Sequence, residues 1–213
     1  MDKNTLSLHL EILDKDRQKL LEKLKPYIEG FVLGGGTALA LQLAHRISYD
    51  FDFFSPSPIK KSLLEKLSRV LEINNISTDT TDELTFFSKE GIKITFFYYP
   101  FKKAYPIEEF QESLQLFSIK DIAIKKAYAI GRRGEYRDYF DLYTIIKGGY
   151  IGLTEIISRA KKIYDHVFEE KIFLQQLVYF DDLLSFEIAP AKKQIPSPDE
   201  IKMFFEKQVK GYL

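Results

Sequence analysis

Residues 34–54 read GGGTALALQLAHRISYDFDFF. The short apolar run Phe31–Leu33 just before them has the profile of a buried strand running into a tight turn, Gly34-Gly35-Gly36. Thr37 is placed to cap a helix over Ala38–Ala44, which is apolar nearly all round and so suited to burial. Tyr49-Asp50-Phe51-Asp52-Phe53-Phe54 then alternates with period two, which predicts a strand, and Ser55-Pro56-Ser57-Pro58 stops it. Residues two apart on a strand point to one face, so Asp50 and Asp52 set two carboxylates side by side. Two neighbouring anions repel each other, and a divalent cation resolves the conflict: Mg²⁺, or Mn²⁺ in its place, takes carboxylate oxygens together with substrate phosphates. The glycine turn supplies a complementary half. Without side chains at Gly35 and Gly36 the backbone can approach a triphosphate, the helix N-terminus offers free N–H groups, and Thr37 adds a hydroxyl. The turn is neither a P-loop nor a dinucleotide fingerprint, since both spacings are absent.

Outward from this stretch, Leu8–Ile28 repeats its apolar residues at helical spacing, which predicts one long amphipathic helix closed by Gly30. A second amphipathic helix is expected over Ile59–Ile73, and a hairpin of Leu84–Ser88 with Ile92–Tyr99 around Lys89-Glu90-Gly91. Beyond Pro106 the pattern is helical, over Ile119–Ile130, Tyr136–Ile146, Leu153–Tyr164, Glu169–Leu184 and Pro198–Gly211. The pattern gives an α/β half followed by an all-helical half, with a boundary near residues 105–117; the expected class is α+β, with a core over 1–110 and a helical lobe over 111–213.

Composition narrows the chemistry. The chain has 213 residues, with 31 Lys plus Arg set against 31 Asp plus Glu, so a wholesale polyanion binder is excluded. There is no cysteine, which removes disulfides, thiolate metal sites and cysteine nucleophiles. The three histidines (His9, His45, His166) are too scattered to build a metal site, and His45 reads as a helix-end histidine. The opening MDKNTLSLHLEILDKDRQ lacks a signal-peptide pattern, and no run approaches the ~18 apolar residues of a membrane helix. A cytoplasmic protein without a membrane segment is expected.

The stretch 34–54 resembles the signature of the AbiEii/AbiGii-type nucleotidyltransferase toxins, within the superfamily that includes DNA polymerase beta. That pattern is glycine followed by Ser or Thr, a helix, then D-x-D on a strand, met here by Gly36, Thr37, Asp50 and Asp52. His45-Arg46-x-Ser48 matches the AbiEii-like version. Downstream, a D-x-x-x-K element matches Asp121 and Lys125, an R-D-x-x-D element matches Arg137, Asp138 and Asp141, and Lys93 corresponds to a lysine-bearing strand element. The resemblance runs in order over residues 31–147. It implies a mixed sheet flanked by helices, with the helical lobe closing a nucleotide cleft in which Asp50 and Asp52 hold metal and Gly35, Gly36 and Thr37 cradle the triphosphate. It also implies that Lys125 and Arg46 neutralise phosphate charge, with Asp121, Arg137 and Asp141 completing the nucleotide site; Arg46 reads equally as the partner of a salt bridge to one of the aspartates.

Each downstream residue also has a structural reading. Ser118-Ile119-Lys120-Asp121 is a capping-box pattern, and Asp121 with Lys125 is a favourable i,i+4 ion pair. Asp138 sits where a helix dipole favours an acid, and Arg137 is spaced to reach Asp141. The basic cluster Lys120, Lys125, Lys126, Arg132, Arg133 and Arg137 reads as a guide for RNA such as tRNA, or as a solvated helix face. Tyr136, Tyr139, Phe140 and Tyr143 read as helix packing rather than a base-stacking platform.

One departure stands out. Many nucleotidyltransferases carry a third carboxylate on a neighbouring strand, and here Ile92–Phe97 has none, with Thr95 in the expected place. Either Asp138 does that work or the site is weakened. The resemblance implies transfer of a nucleoside monophosphate from a nucleoside triphosphate to an RNA or protein hydroxyl, by the toxin of a pair restrained by a cognate antitoxin. The alternatives are a degenerate member that binds nucleotide or partner without turnover, and a phosphotransferase on the same scaffold.

Overall fold

The computed structural model describes residues 8–110, 114–191 and 195–213. Residues 1–7, part of the stretch read against a leader, and residue 111, where the helical lobe is expected to begin, lie outside them. The chain forms two compact units. One comprises the chain up to Phe101 together with Ile107–Phe117; the other comprises Lys102–Pro106 and Ser118–Leu213.

The first unit is built on a sheet with the order β3-β4-β5-β2-β1-β7-β6. The strands are β1 (Val32–Leu33), β2 (Phe51–Ser55), β3 (Ile73–Asp79), β4 (Glu83–Ser88), β5 (Lys93–Tyr98), β6 (Glu108–Phe110) and β7 (Leu114–Leu116). The β2–β5 and β1–β7 pairs are parallel and the others antiparallel, so the sheet is mixed. The expected hairpin is β4–β5, and Gly91 turns it at φ +76° with its N–H donating to the Ser88 carbonyl at 2.9 Å. One sheet face is a Phe core: Phe53 stacks on Phe96 at 5.1 Å, Phe31 meets Phe96 edge-on at 4.9 Å, and Phe86 stacks on Phe96 at 6.5 Å.

Four sequence expectations are corrected in this unit. The single helix over Leu8–Ile28 is broken, because Asp14 accepts from Arg17 N at 2.9 Å and starts α1 (Lys15–Leu24), while Pro26 tightens the end into a 3-10 turn. The second helix, α2 (Gly35–Leu43), starts two residues before Thr37, so Gly34 is the cap and Thr37 lies inside the first turn. The D-x-D strand is Phe51–Ser55 rather than Tyr49–Phe54. The helix expected to reach Ile73 is α3 (Ser62–Ser68), because Ile73 is drawn into β3 opposite Ser88.

The second unit is helical: α4 (Ile119–Ile130), α5 (Tyr136–Lys147), α6 (Leu153–Tyr164), α7 (Glu170–Val178) and α8 (Pro198–Tyr212). α7 ends well before Leu184, because the chain extends at Tyr179 and Phe180 turns in to pack edge-on against Tyr139 at 5.0 Å. Tyr136, Tyr139, Phe140 and Tyr143 are all buried, which bears out the packing reading of that stripe. α8 opens with a full capping box between Ser197 and Glu200. Among the described residues no helix is long and apolar enough to cross a membrane.

Candidate active site

Asp52 lies in β2 and Asp50 one residue before it. Both are half-buried, whereas Phe51, Phe53 and Ser55 are buried, so the two carboxylates share the sheet face opposite the Phe core. The Gly34 N–H donates to the Asp52 carbonyl at 2.8 Å, which fixes the glycine turn at the D-x-D strand. Gly35 stands at φ +64°, and a Cβ there would collide with the Asp52 carboxylate. Only glycine satisfies both conditions without strain. A Cβ on Gly36 would collide with the Arg46 guanidinium and crowd Ser48 Oγ at 3.0 Å. The glycines therefore let the start of α2 close onto the protein's own Asp52 and Arg46. Arg46 and His45 are each 4 % exposed, and His45 follows the left-handed residue Ala44 that ends α2.

The Thr37 hydroxyl reaches the Asp50 backbone carbonyl and lies 3.0 Å from Ser48 Oγ. It joins the first turn of α2 to the residue that opens the acidic pair. In the parallel register of β2 and β5, Asp52 is level with Thr95, so the position expected for a third carboxylate does lie beside Asp52. Lys93 lies two residues before Thr95, on the same face of β5.

The remaining expected residues belong to the second unit. Ser118 caps α4, accepting from Asp121 N at 3.2 Å, but the Asp121 carboxylate does not complete a reciprocal box. It accepts instead from Ala104 N at 2.8 Å, Tyr105 N at 3.2 Å and Ser118 Oγ at 3.1 Å, holding the 102–106 segment against α4. Burial raises the Asp121 carboxyl above its usual range, with the Ala104 hydrogen bond and the Lys125 charge opposing it. The Lys125 ammonium is enclosed, and burial pushes it well below the ordinary lysine range against the pull of Asp121.

Lys126, one residue on, makes the stronger ion pairs. Its Nζ lies 2.6 Å from Asp138 Oδ1 and 2.6 Å from Asp141 Oδ2. Arg133 Nε adds a contact to Asp138 Oδ2 at 2.8 Å. Arg137 is spaced to reach Asp141 but pairs with Glu135 at 3.4 Å, its own side chain half exposed while Asp141 is buried. Lys126 and Arg133 are the residues that motif spacing misses. The sequence does carry a signal for Lys126: it interrupts the apolar i,i+4 row Ile122–Lys126–Ile130, so its charge has to be buried and paired. The basic cluster is accordingly not a uniform solvated face. Lys126 and Arg133 are tied to acids, and Arg132 lies 3.7 Å over the Tyr128 ring.

The sequence model described as "Nucleotidyl transferase AbiEii toxin, Type IV TA system" matches residues 19–210. "Uncharacterized protein aq_aa25" of Aquifex aeolicus (strain VF5) is 34 % identical over 219 residues, covering 94 % of this chain and 98 % of its own. Two solved structures share the fold. One is a protein from H. pylori assigned as a nucleotidyltransferase, with a TM-score of 0.56 and 20 % identity over 99 % of this chain and 95 % of that one. The other is MenT4, the nucleotidyltransferase toxin Rv2826c of Mycobacterium tuberculosis H37Rv, with a TM-score of 0.60 and 12 % identity over 89 % and 80 %. With the glycine turn, the D-x-D face and a family match over most of its length, this chain belongs to the AbiEii nucleotidyltransferase toxin family of type IV toxin–antitoxin systems.

Proposed function

We propose that this protein transfers a nucleoside monophosphate from a nucleoside triphosphate to a hydroxyl of RNA or protein, and that a cognate antitoxin restrains it. The observation that carries this reading is the placing of Asp50 and Asp52 on one sheet face, with Gly35 closed against the Asp52 carboxylate.

The donor set suits Mg²⁺, or Mn²⁺ in its place. Two carboxylates supply hard oxygen ligands, and no third acid or histidine groups with them among the described residues. That is the sparse protein ligation expected of a cation that keeps waters and takes the rest of its shell from substrate phosphates. When bound, it would neutralise charge developing on the phosphoryl oxygens. Asp50 and Asp52 would hold that charge in place, and Thr37 fixes the backbone of Asp50. Gly35 and Gly36 would present their N–H groups to the triphosphate from the start of α2, with Arg46 packed behind Gly36 as a source of positive charge. The acceptor hydroxyl gives up its proton to solvent as its oxygen bonds to the α-phosphorus, the bond from that phosphorus to the oxygen bridging it to the β-phosphate breaks, and pyrophosphate leaves with that electron pair. Positioning and electrostatics supply the acceleration.

A second reading has specific support. Thr95 stands where a third carboxylate would, and Asp138 is engaged by Lys126 and Arg133, which is the arrangement of a binder without turnover. One experiment separates the readings. The protein is incubated with Mg²⁺, α- or γ-labelled nucleoside triphosphates, and total RNA or a protein extract, with Asp50→Asn as control. Transfer of α-label that Asp50→Asn abolishes supports the proposal. Transfer of γ-label alone makes the protein a phosphotransferase, and binding without transfer makes it a degenerate member.

A further inference from the structure

Thr95 is more than a missing carboxylate. It is 1 % exposed, lies level with Asp52 across β2–β5, and lies level with Thr85 across β4–β5. Thr85 is 3 % exposed, and its Oγ1 is 3.2 Å from Thr95 Oγ1 and 2.7 Å from Glu83 Oε1. A row therefore crosses three strands on the face of the acidic pair, running Asp52, Thr95, Thr85 and ending on the Glu83 carboxylate.

The direction of the hydrogen bonds in that row follows from counting protons. A threonine hydroxyl has one proton, and a carboxylate only accepts. Thr85 therefore gives its proton to Glu83, so the Thr85–Thr95 contact has to be filled by the proton of Thr95. With that proton directed to Thr85, the Thr95 oxygen keeps only acceptor capacity beside Asp52. Turned to the acidic face instead, that proton would stand where a cation has to approach and would offer it no lone pair in that direction.

We infer that Thr95 Oγ1 is a third oxygen ligand beside Asp50 and Asp52 for the divalent cation, and that Glu83 acts through Thr85 as a positioning residue that keeps this oxygen an acceptor. The inference rests on the reading of Asp50 and Asp52 as a cation site and extends it to β4 and β5. It also explains how a strand without an acid can serve that site: the negative charge is at Glu83 and reaches the site through two buried hydroxyls. This is the arrangement by which outer partners orient the ligands of metal sites elsewhere.

The test is Mn²⁺ binding by the full chain, followed by the electron paramagnetic resonance signal of free Mn²⁺, with thermal unfolding recorded for every variant. Thr95→Val, Thr85→Val and Glu83→Ala are each expected to weaken Mn²⁺ binding about 10-fold or more. Thr95→Ser, which restores the hydroxyl, is expected to stay within about 2-fold of the parent, a rescue that a purely structural role for Thr95 would not require. Parental affinity in any one of the first three variants breaks the row and overturns the inference, while leaving the acidic pair standing provided Asp52→Asn loses the ion. Mn²⁺ held equally by Asp52→Asn, or not held by the parent at all, overturns the reading of the pair itself and the inference with it.

Discussion

The Lys126 ammonium lies 2.6 Å from Asp138 Oδ1, and the two side chains are only 8 % and 3 % exposed. Asp141, with no exposure, shares the same ammonium at 2.6 Å. Two buried acids on one helix thus share one buried base on another, and Arg133 adds to Asp138 from nearer the surface. Lys126→Met should cost about 3–5 kcal/mol, because it strips a buried ammonium from both carboxylates and leaves Asp138 to the more exposed Arg133. Urea unfolding of the variant, read by circular dichroism, measures it; a loss under about 1 kcal/mol would contradict the burial of the network.

The same network sets an acid limit. Burial alone raises the Asp138 carboxyl, but the charges of Lys126 and Arg133 outweigh it and hold the group below its usual range. A carboxyl lowered in the folded state stabilises the fold above its unfolded value, about 3.9, and loses that contribution as pH falls through the folded value. The stability difference between the parent and Asp138→Asn should therefore be constant near neutrality and shrink below about pH 4. Urea midpoints of both proteins from pH 7 to pH 3 would show it.

Gly35→Ala combines a left-handed backbone with a collision against the Asp52 carboxylate. A stability loss of about 1–3 kcal/mol is expected from the strained backbone alone. Nucleotidyl transfer should fall further than stability, since Asp52 has to move. Gly149→Ala, also at positive φ but with open space around its Cβ, is the control that keeps transfer.

Thr37→Val leaves the Asp50 carbonyl without its side-chain donor, whereas Thr37→Ser keeps it. The valine variant should lose about 1–3 kcal/mol and most of its transfer activity, and the serine variant should keep most of both. Equal activity in the two would show that the hydroxyl does not position Asp50.

Asp121→Ala removes the acceptor shared by Ala104 and Tyr105 N–H. Local opening of residues 102–106 should become easier by about 1–3 kcal/mol, and trypsin should cut after Lys102 and Lys103 correspondingly faster under native conditions. Unchanged cleavage would mean that other contacts hold this segment.

The parts of the fold legible in the sequence are those where pattern and packing agree. Leu84–Ser88 and Ile92–Tyr99 are two β-prone runs around the turn Lys89-Glu90-Gly91, and the D-x-D carboxylates share a face because a strand repeats every two residues. β3 was hidden because it is an edge strand whose residues, Asn74, Asn75, Ser77 and Thr78 among them, are polar and largely exposed, so no apolar period marks it. The break at Asp14 was hidden for the opposite reason: the apolar period runs on through a cap that only the Arg17 N–H reveals. Within the candidate site, spacing finds Asp50, Asp52 and Gly36. It does not reveal that Lys126, the neighbour of Lys125, makes the buried ion pairs with Asp138 and Asp141, because adjacent helical residues point about 100° apart and a spacing rule cannot say which one faces those acids.

β1 is two residues long, yet it joins the two halves of the sheet. Leu33 pairs with Leu116, over a third of the chain away, while the acidic pair sits on the strand at its other side. Chain topology makes that closure a late event in folding, since the cost of the intervening loop has to be met before the contact forms. On the ribosome, β2 to β5 emerge and can associate while β1 still has an open edge. A chain stopped short of Leu116 would therefore hold the D-x-D strand between β5 and β1 but leave the far edge of β1 unpaired, with its Leu33 backbone open to a foreign strand.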